Sequence, residues 1–354
     1  MKIYKYQFIC EHLYNILFKE QQIYINLDEI CYYILWASVK IGDEYCQIII
    51  KELPKFYSRQ GQTQFTIKLY NSLVSFGVFP KEYVYLIRMK QNKKYIKSNI
   101  DSLKKVYKAN ISDPSILRWW VNYKIEKYGI GNYNDENSAR NILKKGVNYT
   151  NSAGTYLYWA KLELSQNNIG DYNTVNSAKW ILKQGIEKTH HPSFYLRLAE
   201  LEVKENNIGD YNTAYSAKWI LKQGIEKNHA LSFYLRLAEL EFLQDNLGDS
   251  NSKWSVTYLI EKAVKKEYLG TDENIIKAIT EIKKNNIGDF TVENSAKWYL
   301  IQSLKDIIAS YTFLAAIELQ VGNIGNEQTE YSVRWIIKKA SDRIKYFSYD
   351  KIFE

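Results

Sequence analysis

Between Leu117 and Ala340 apolar residues recur at helical spacing in two alternating kinds of segment. The first kind is Tyr195-Leu196-Arg197-Leu198-Ala199-Glu200-Leu201-Glu202. At about 100° per residue, Tyr195, Leu198, Ala199 and Glu202 form one stripe and Arg197 turns toward solvent. Trp119/Tyr123/Glu126, Tyr156/Ala160/Glu163, Tyr234/Ala238/Glu241 and Tyr311/Ala315/Glu318 keep that spacing. In the second kind, Ala178, Leu182 and Gly185 share a face, as do Ala217, Leu221 and Gly224. Ala139/Gly146, Val256/Ala263 and Val333/Ala340 repeat the offset of seven. Small residues on that face let two helices approach closely.

A glycine turn joins the two kinds: Ile130-Gly131-Asn132, Ile169-Gly170-Asp171, Ile208-Gly209-Asp210, Leu247-Gly248-Asp249, Ile287-Gly288-Asp289 and Ile324-Gly325-Asn326. The six turns follow one another at intervals of 37 to 40 residues, and residues 167–188 and 206–227 are nearly identical. Asn and Gly close the first helix because they tolerate the left-handed conformation. The Asp-Tyr-Asn-Thr that follows would supply the caps of the next helix. Helices are predicted near 117–128, 134–147, 155–167, 174–187, 193–206 and 213–226, continuing at the same spacing. A repeat of this length implies an all-α, elongated α-solenoid of antiparallel helix pairs rather than a globular enzyme core. The expected organisation is a divergent helical region over 1–110, six repeats over 111–343 and a C-terminal cap over 344–354. In the first region, Leu35-Trp36-Ala37 followed by Ile41-Gly42-Asp43 reads as a degenerate unit with a shortened first helix, and 83–90 with 98–109 reads as another pair.

An aromatic, a small residue and Glu on the first helix, then Gly-Asp/Asn, then Ala-Arg/Lys and a small residue seven positions on, resembles the HAT (half-a-TPR) repeat. Trp119…Tyr123…Glu126…Gly131-Asn132…Ala139-Arg140 carries the closest match, and Trp159-Ala160-Lys161-Leu162-Glu163…Gly170-Asp171…Ala178-Lys179 follows it. The resemblance covers about two thirds of the chain and implies TPR/HAT-like superhelical stacking. It also implies a scaffold, in RNA processing or RNA stability for HAT proteins and in protein binding for the related tetratricopeptide repeats. Lys179, Lys218 and Lys297 depart from the arginine usual after the alanine, and the turns are rich in Asn and Thr.

Composition adds limits. A net charge of +9 over 354 residues permits a nucleic acid or an anionic surface without requiring either. Cys10, Cys31 and Cys46 all precede the repeats, which argues against a disulfide framework and for the cytoplasm or another reducing intracellular compartment. No apolar run long enough for a membrane span occurs, and Glu11, His12 and Glu20 do not fit a signal peptide.

The chemistry-bearing residues form columns. Glu126, Glu163, Glu202, Glu241, Glu281 and Glu318 stand on the apolar stripes, where Arg140, Lys179 and Arg334 or helix N-termini could satisfy them. Trp180, Trp219, Tyr258, Trp298 and Trp335 lie two positions after the small residue, either filling the seam between units or anchoring a partner. Lys93, Lys94, Lys97, Lys104 and Lys105 centre the densest basic stretch, interleaved with Tyr95 and Tyr107, a mixture suited to single-stranded nucleic acid and equally to a solvated face. His190, His191 and His229 lack companions at zinc spacing, and no nucleotide-binding or hydrolase motif occurs. The expectation is a non-enzymatic scaffold without cofactor or metal that binds another protein or protein complex. The alternative is an RNA-binding factor acting through the basic segment.

Overall fold

The computed structural model describes residues 27–42, 44–89, 98–266, 273–304 and 308–349. Among them there are helices and no strands. They are α1 (Leu27–Ile41), α2 (Glu44–Arg59), α3 (Thr63–Ser75), α4 (Glu82–Met89), α5 (Ile100–Ala109), α6 (Pro114–Tyr128), α7 (Ala139–Thr150), α8 (Ala153–Ser165) and α9 (Ala178–Thr189). They continue as α10 (Pro192–Lys204), α11 (Ala217–Asn228), α12 (Leu231–Leu243), α13 (Val256–Lys266), α14 (Glu273–Lys283), α15 (Ala296–Ser303), α16 (Ile308–Gln320) and α17 (Val333–Tyr349). The chain divides into two compact units, Met1–Thr155 and Tyr156–Glu354.

In the first unit α1, α2 and α3 pack mutually, and α5 links α3 and α4 to α6, which pairs with α7. Leu35, Leu53, Leu73, Leu103 and Ile116 fill its core. Leu35-Trp36-Ala37 belongs to a full helix of 15 residues rather than a shortened one. The hydroxyl of Tyr83 donates to Asn71 at 2.8 Å, and the Tyr83 ring stacks on Tyr70.

The second to sixth repeat turns return the chain by the same backbone bonds. After α8, Asn167 takes a left-handed φ of 55°, and the Asn168 amide returns to the Glu163 carbonyl at 2.9 Å. Asp171 then accepts from the amides of Asn173 and Thr174 at 2.8 and 2.7 Å, an Asx turn. The chain comes back so that the amides of Ala178 and Lys179 donate to the carbonyls of Asn168 and Ile169. Gly170 has φ 57°, and a Cβ there would overlap the side chain of Ser177. That serine is the actual N-cap. Its hydroxyl donates to the Asp171 carbonyl at 3.0 Å and accepts from the Trp180 amide at 3.3 Å. Ser138, Ser216, Ser255, Ser295 and Ser332 do the same for their helices. The cap is thus this buried serine, and the Asp-Tyr-Asn-Thr segment folds the loop instead. Because the loop holds an Asx turn, joined by a left-handed residue at Asn176 and Tyr215, the second helices begin at 139, 178 and 217, about four residues later than periodicity suggests.

The small residues lie where the first helix comes closest. A Cβ on Gly185 would sit 2.5 Å from the Phe194 ring, and one on Gly224 would sit 2.8 Å from Phe233. In the second unit α9, α10, α11 and α12 pack in chain order, each on the next. The succession then changes. α13 packs on α12 and on α16, and α17 returns to α12, so α12, α13, α16 and α17 close a ring while α14 pairs with α15. Regular nearest-neighbour stacking, expected from even spacing, does not describe this end. Two helices buried on every side explain the ring: α12 is buried continuously from Phe233 to Phe242, and α16 through most of Ala309–Glu318. Arg197 also differs from expectation. It is largely buried in α10 and pairs with Glu200 at 3.1 Å, because its face of the helix is covered.

Two changes test the turn and the close-packed face by denaturant midpoint. Ser216→Ala should cost about 1 kcal/mol through removal of the cap. Gly224→Leu should cost roughly 1–3 kcal/mol or more, since Phe233 must move. Wild-type midpoints in both would contradict these assignments.

Candidate functional site: the joints between repeats and the surfaces beside them

Each joint runs from the turn of one unit to the first helix of the next. At its centre is a buried glutamate. Glu202 on α10 accepts from the Tyr172 hydroxyl at 2.7 Å, from Lys179 Nζ at 2.7 Å and from Asn207 Nδ2 at 2.6 Å. Tyr172 and Lys179 belong to the preceding turn and helix, so one carboxylate fastens two units. Lys179 reaches on to Glu205 at 2.6 Å and lies 5.5 Å from the Tyr172 ring centre. Glu241 repeats the arrangement with Tyr211, Lys218 and Asn246 at 2.6, 2.5 and 2.6 Å. Glu318 keeps Lys297 and Asn323, both at 2.7 Å, with Phe290 in place of the tyrosine under the ammonium.

Burial of a carboxylate requires such company, because desolvation is offset only by several charge-assisted bonds. Burial of Lys179 opposes its charge, yet the Glu202 and Glu205 carboxylates outweigh that and hold its pKa above the ordinary value. Burial first, then the bonded carboxylate, raises the phenol of Tyr172 well above its ordinary range, and Tyr211 likewise beside Glu241.

A ring stack accompanies each of these joints. Tyr172 lies on Tyr215 with centroids 4.1 Å apart, Tyr211 on Trp254 at 4.5 Å, and Phe290 on Tyr331 at 4.3 Å. The fourth unit breaks both patterns. Ser250 stands where the aromatic would be and Thr257 where the lysine would be. Thr257 turns back to the Leu247 and Gly248 carbonyls at 3.2 and 3.0 Å. Glu281 on α14 bonds within its own unit, to Lys284 at 2.8 Å and Asn286 at 2.7 Å. With no lysine, tyrosine or ring offered across this joint, α13 takes α16 as its neighbour instead.

The structure places the remaining candidates as follows. Trp180, Trp219, Tyr258, Trp298 and Trp335 are half-buried, and their amides are the ones that bond the capping serines. Trp180 meets Trp159 edge-on, Trp219 leans on Tyr215, Tyr258 on Trp254 and Trp335 on Tyr331. Arg334, expected as a donor to the glutamate column, pairs instead with Asp245, in the turn after α12, at 2.7 Å. Lys104 and Lys105 are exposed on α5, whereas Lys93, Lys94 and Lys97 lie outside the described residues.

A surface that composition did not single out lies on α5 and α6. Tyr128 is 64% exposed; Lys124 and Lys127 stand 5.1 and 4.9 Å from its ring centre. A bond from Lys127, then the charges of Lys127, Lys124 and Lys104, lower the Tyr128 pKa. Lys124 and Lys127 are four and one residues before Tyr128, a spacing already visible within the helix expected over 117–128.

Among the described residues, no group of three or more His, Cys, Asp or Glu is placed to hold a metal ion, and no helix is long and apolar enough to cross a membrane. No family model, curated protein or solved structure matches the chain.

The joint chemistry has an alkaline signature. A phenol whose folded pKa lies above its unfolded value of 10.0 adds stability that is complete below pH 10 and is lost as pH rises beyond it. Spectrophotometric titration should therefore show Tyr172 and Tyr211 ionising only together with unfolding. Phenolate signal from both in the folded protein near pH 10 would contradict the buried assignment.

Proposed function

We propose that the repeats form an α-solenoid of antiparallel helix pairs, TPR- or HAT-like in its stacking and modified at its last units. We propose further that this non-enzymatic scaffold binds another protein or protein complex. The observation that carries the reading is the destination of the charged columns: glutamates, lysines and tyrosines that could have formed a reactive centre are engaged inside the joints. What the units leave outward is surface, including the half-buried column Trp180, Trp219, Tyr258, Trp298 and Trp335, and rings of this kind anchor interfaces. The test is recovery of a partner from native cells after nuclease treatment. A stoichiometric protein should copurify, and Trp180→Ala with Trp219→Ala should reduce its recovery without loss of helicity. Recovery of no protein after nuclease treatment overturns the reading.

A second reading, an RNA-binding factor in RNA processing or stability, has one observation behind it: the lysines gathered round the open Tyr128 ring, with Lys104 on the neighbouring helix. Lysines neutralise phosphates, and an exposed ring offers a base a stacking face. Changing Lys104, Lys124 and Lys127 to Ser should then flatten the salt dependence of single-strand binding, by about 0.7 in log–log slope for each phosphate no longer neutralised. Salt-insensitive or undetectable binding by the wild type removes this reading.

A further inference from the structure

In the second compact unit, the second helix of one repeat packs on the first helix of the next: α9 on α10, α11 on α12 and α15 on α16. The pair α13 and α14 breaks the series. Among the described residues, α14 packs on α15 and on no other helix to a comparable extent. A repeat array holds together through nearest-neighbour contacts, so a helix that lacks one of them is coupled to its surroundings on one side alone.

The two sides of this repeat differ in chemistry. Downstream, α15 and the turn before it are fastened to the last repeat. Lys297 reaches the buried Glu318 at 2.7 Å, and Phe290 stacks on Tyr331 with centroids 4.3 Å apart. Upstream, Glu281 takes Lys284 and Asn286 of its own repeat, and Thr257 bonds its own turn. Burial shows the same open side. Ile276 stands five residues before the glutamate, where α12 has Arg236 and α16 has Phe313. Those two are buried, whereas Ile276 is 50% exposed. What α14 does cover is a ring: Lys277 Nζ lies 5.7 Å from the centre of the Tyr299 ring on α15, and Tyr299 meets Trp298 edge-on at 5.1 Å.

We propose that α14 is a lid, opening from α15 as one cooperative segment while α12, α13, α16 and α17 stay packed, and that its opening widens access to Tyr299 beside Trp298. Opening gives up the contact of α14 with α15, and no joint ties α14 to the repeat before it. The corresponding helices α10 and α12 lack this freedom, because a buried glutamate fastens each of them to the preceding repeat. The lid is a property of this chain alone and does not depend on what the scaffold binds.

Hydrogen exchange of the full wild-type chain, followed by mass spectrometry in low denaturant, reads the lid directly. Amides of 277–283 should exchange through one shared opening, at least about tenfold faster than those of 235–243 and 312–320, roughly 1.4 kcal/mol less protection. That opening should depend less on denaturant than global unfolding does, since it exposes less surface. Thr280→Pro, at an exposed position, breaks α14 alone. It should melt the lid, leave α12 and α16 protected as in the wild type, and speed nitration of Tyr299 by tetranitromethane, located by mass spectrometry. Should the variant not be obtained folded, exchange on the wild type decides. One opening shared by α14, α12 and α16, loss of protection in α12 and α16 of the folded variant, or unchanged nitration at Tyr299 overturns the proposal.

Discussion

A carboxylate buried at the end of a helix is tolerated only where donors surround it, and the second unit of this chain depends on that constraint. Glu202 and Glu241 are each held by a lysine and a tyrosine from the preceding unit and by an asparagine from their own. The asparagine is also the residue whose carbonyl receives the next helix's first amide, so joint and turn are built on one residue. Removing one partner from such a site leaves a charge stranded in low dielectric, which is why these joints fix neighbours firmly.

The same constraint accounts for the place where regular succession stops. Ser250 and Thr257 remove ring and cation together, Glu281 turns to its own unit, and the all-round apolar α16 is accepted by α13 instead. The ring of α12, α13, α16 and α17 then brings the last helix over α10 and α12. Ser250 in the turn and Thr257 at the start of α13 thus stand where the packing of α13 departs from the regular succession.

Much of this was legible in the sequence. The helix pairs follow from periodicity, and the close-packed face from the offset of seven at Gly185 and Gly224, which meet Phe194 and Phe233. The glutamate column was readable as structural, and Lys179 as its partner. What periodicity could not reach were interactions without a period. The serine cap is a single small polar residue in a turn full of them and looks like loop composition. Arg197 lies opposite the stripe and would face water in an isolated helix; only the covering of that face buries it. The cluster at Tyr128 lies inside the helix expected over 117–128, but a single exposed ring in a tyrosine-rich chain has no period to mark it. The substitutions Ser250 and Thr257 stood in plain view, but their meaning depends on the joint that the structure reveals.

If a buried glutamate couples neighbouring units at the joints that keep it, a double-mutant cycle of Lys218→Met and Glu241→Gln must register it. The two side chains belong to different units and meet at 2.5 Å. Strong coupling in unfolding free energy is expected, on the order of 2–3 kcal/mol, with the double variant more stable than the sum of the singles implies. Additive losses, agreeing within about 0.5 kcal/mol, would contradict it.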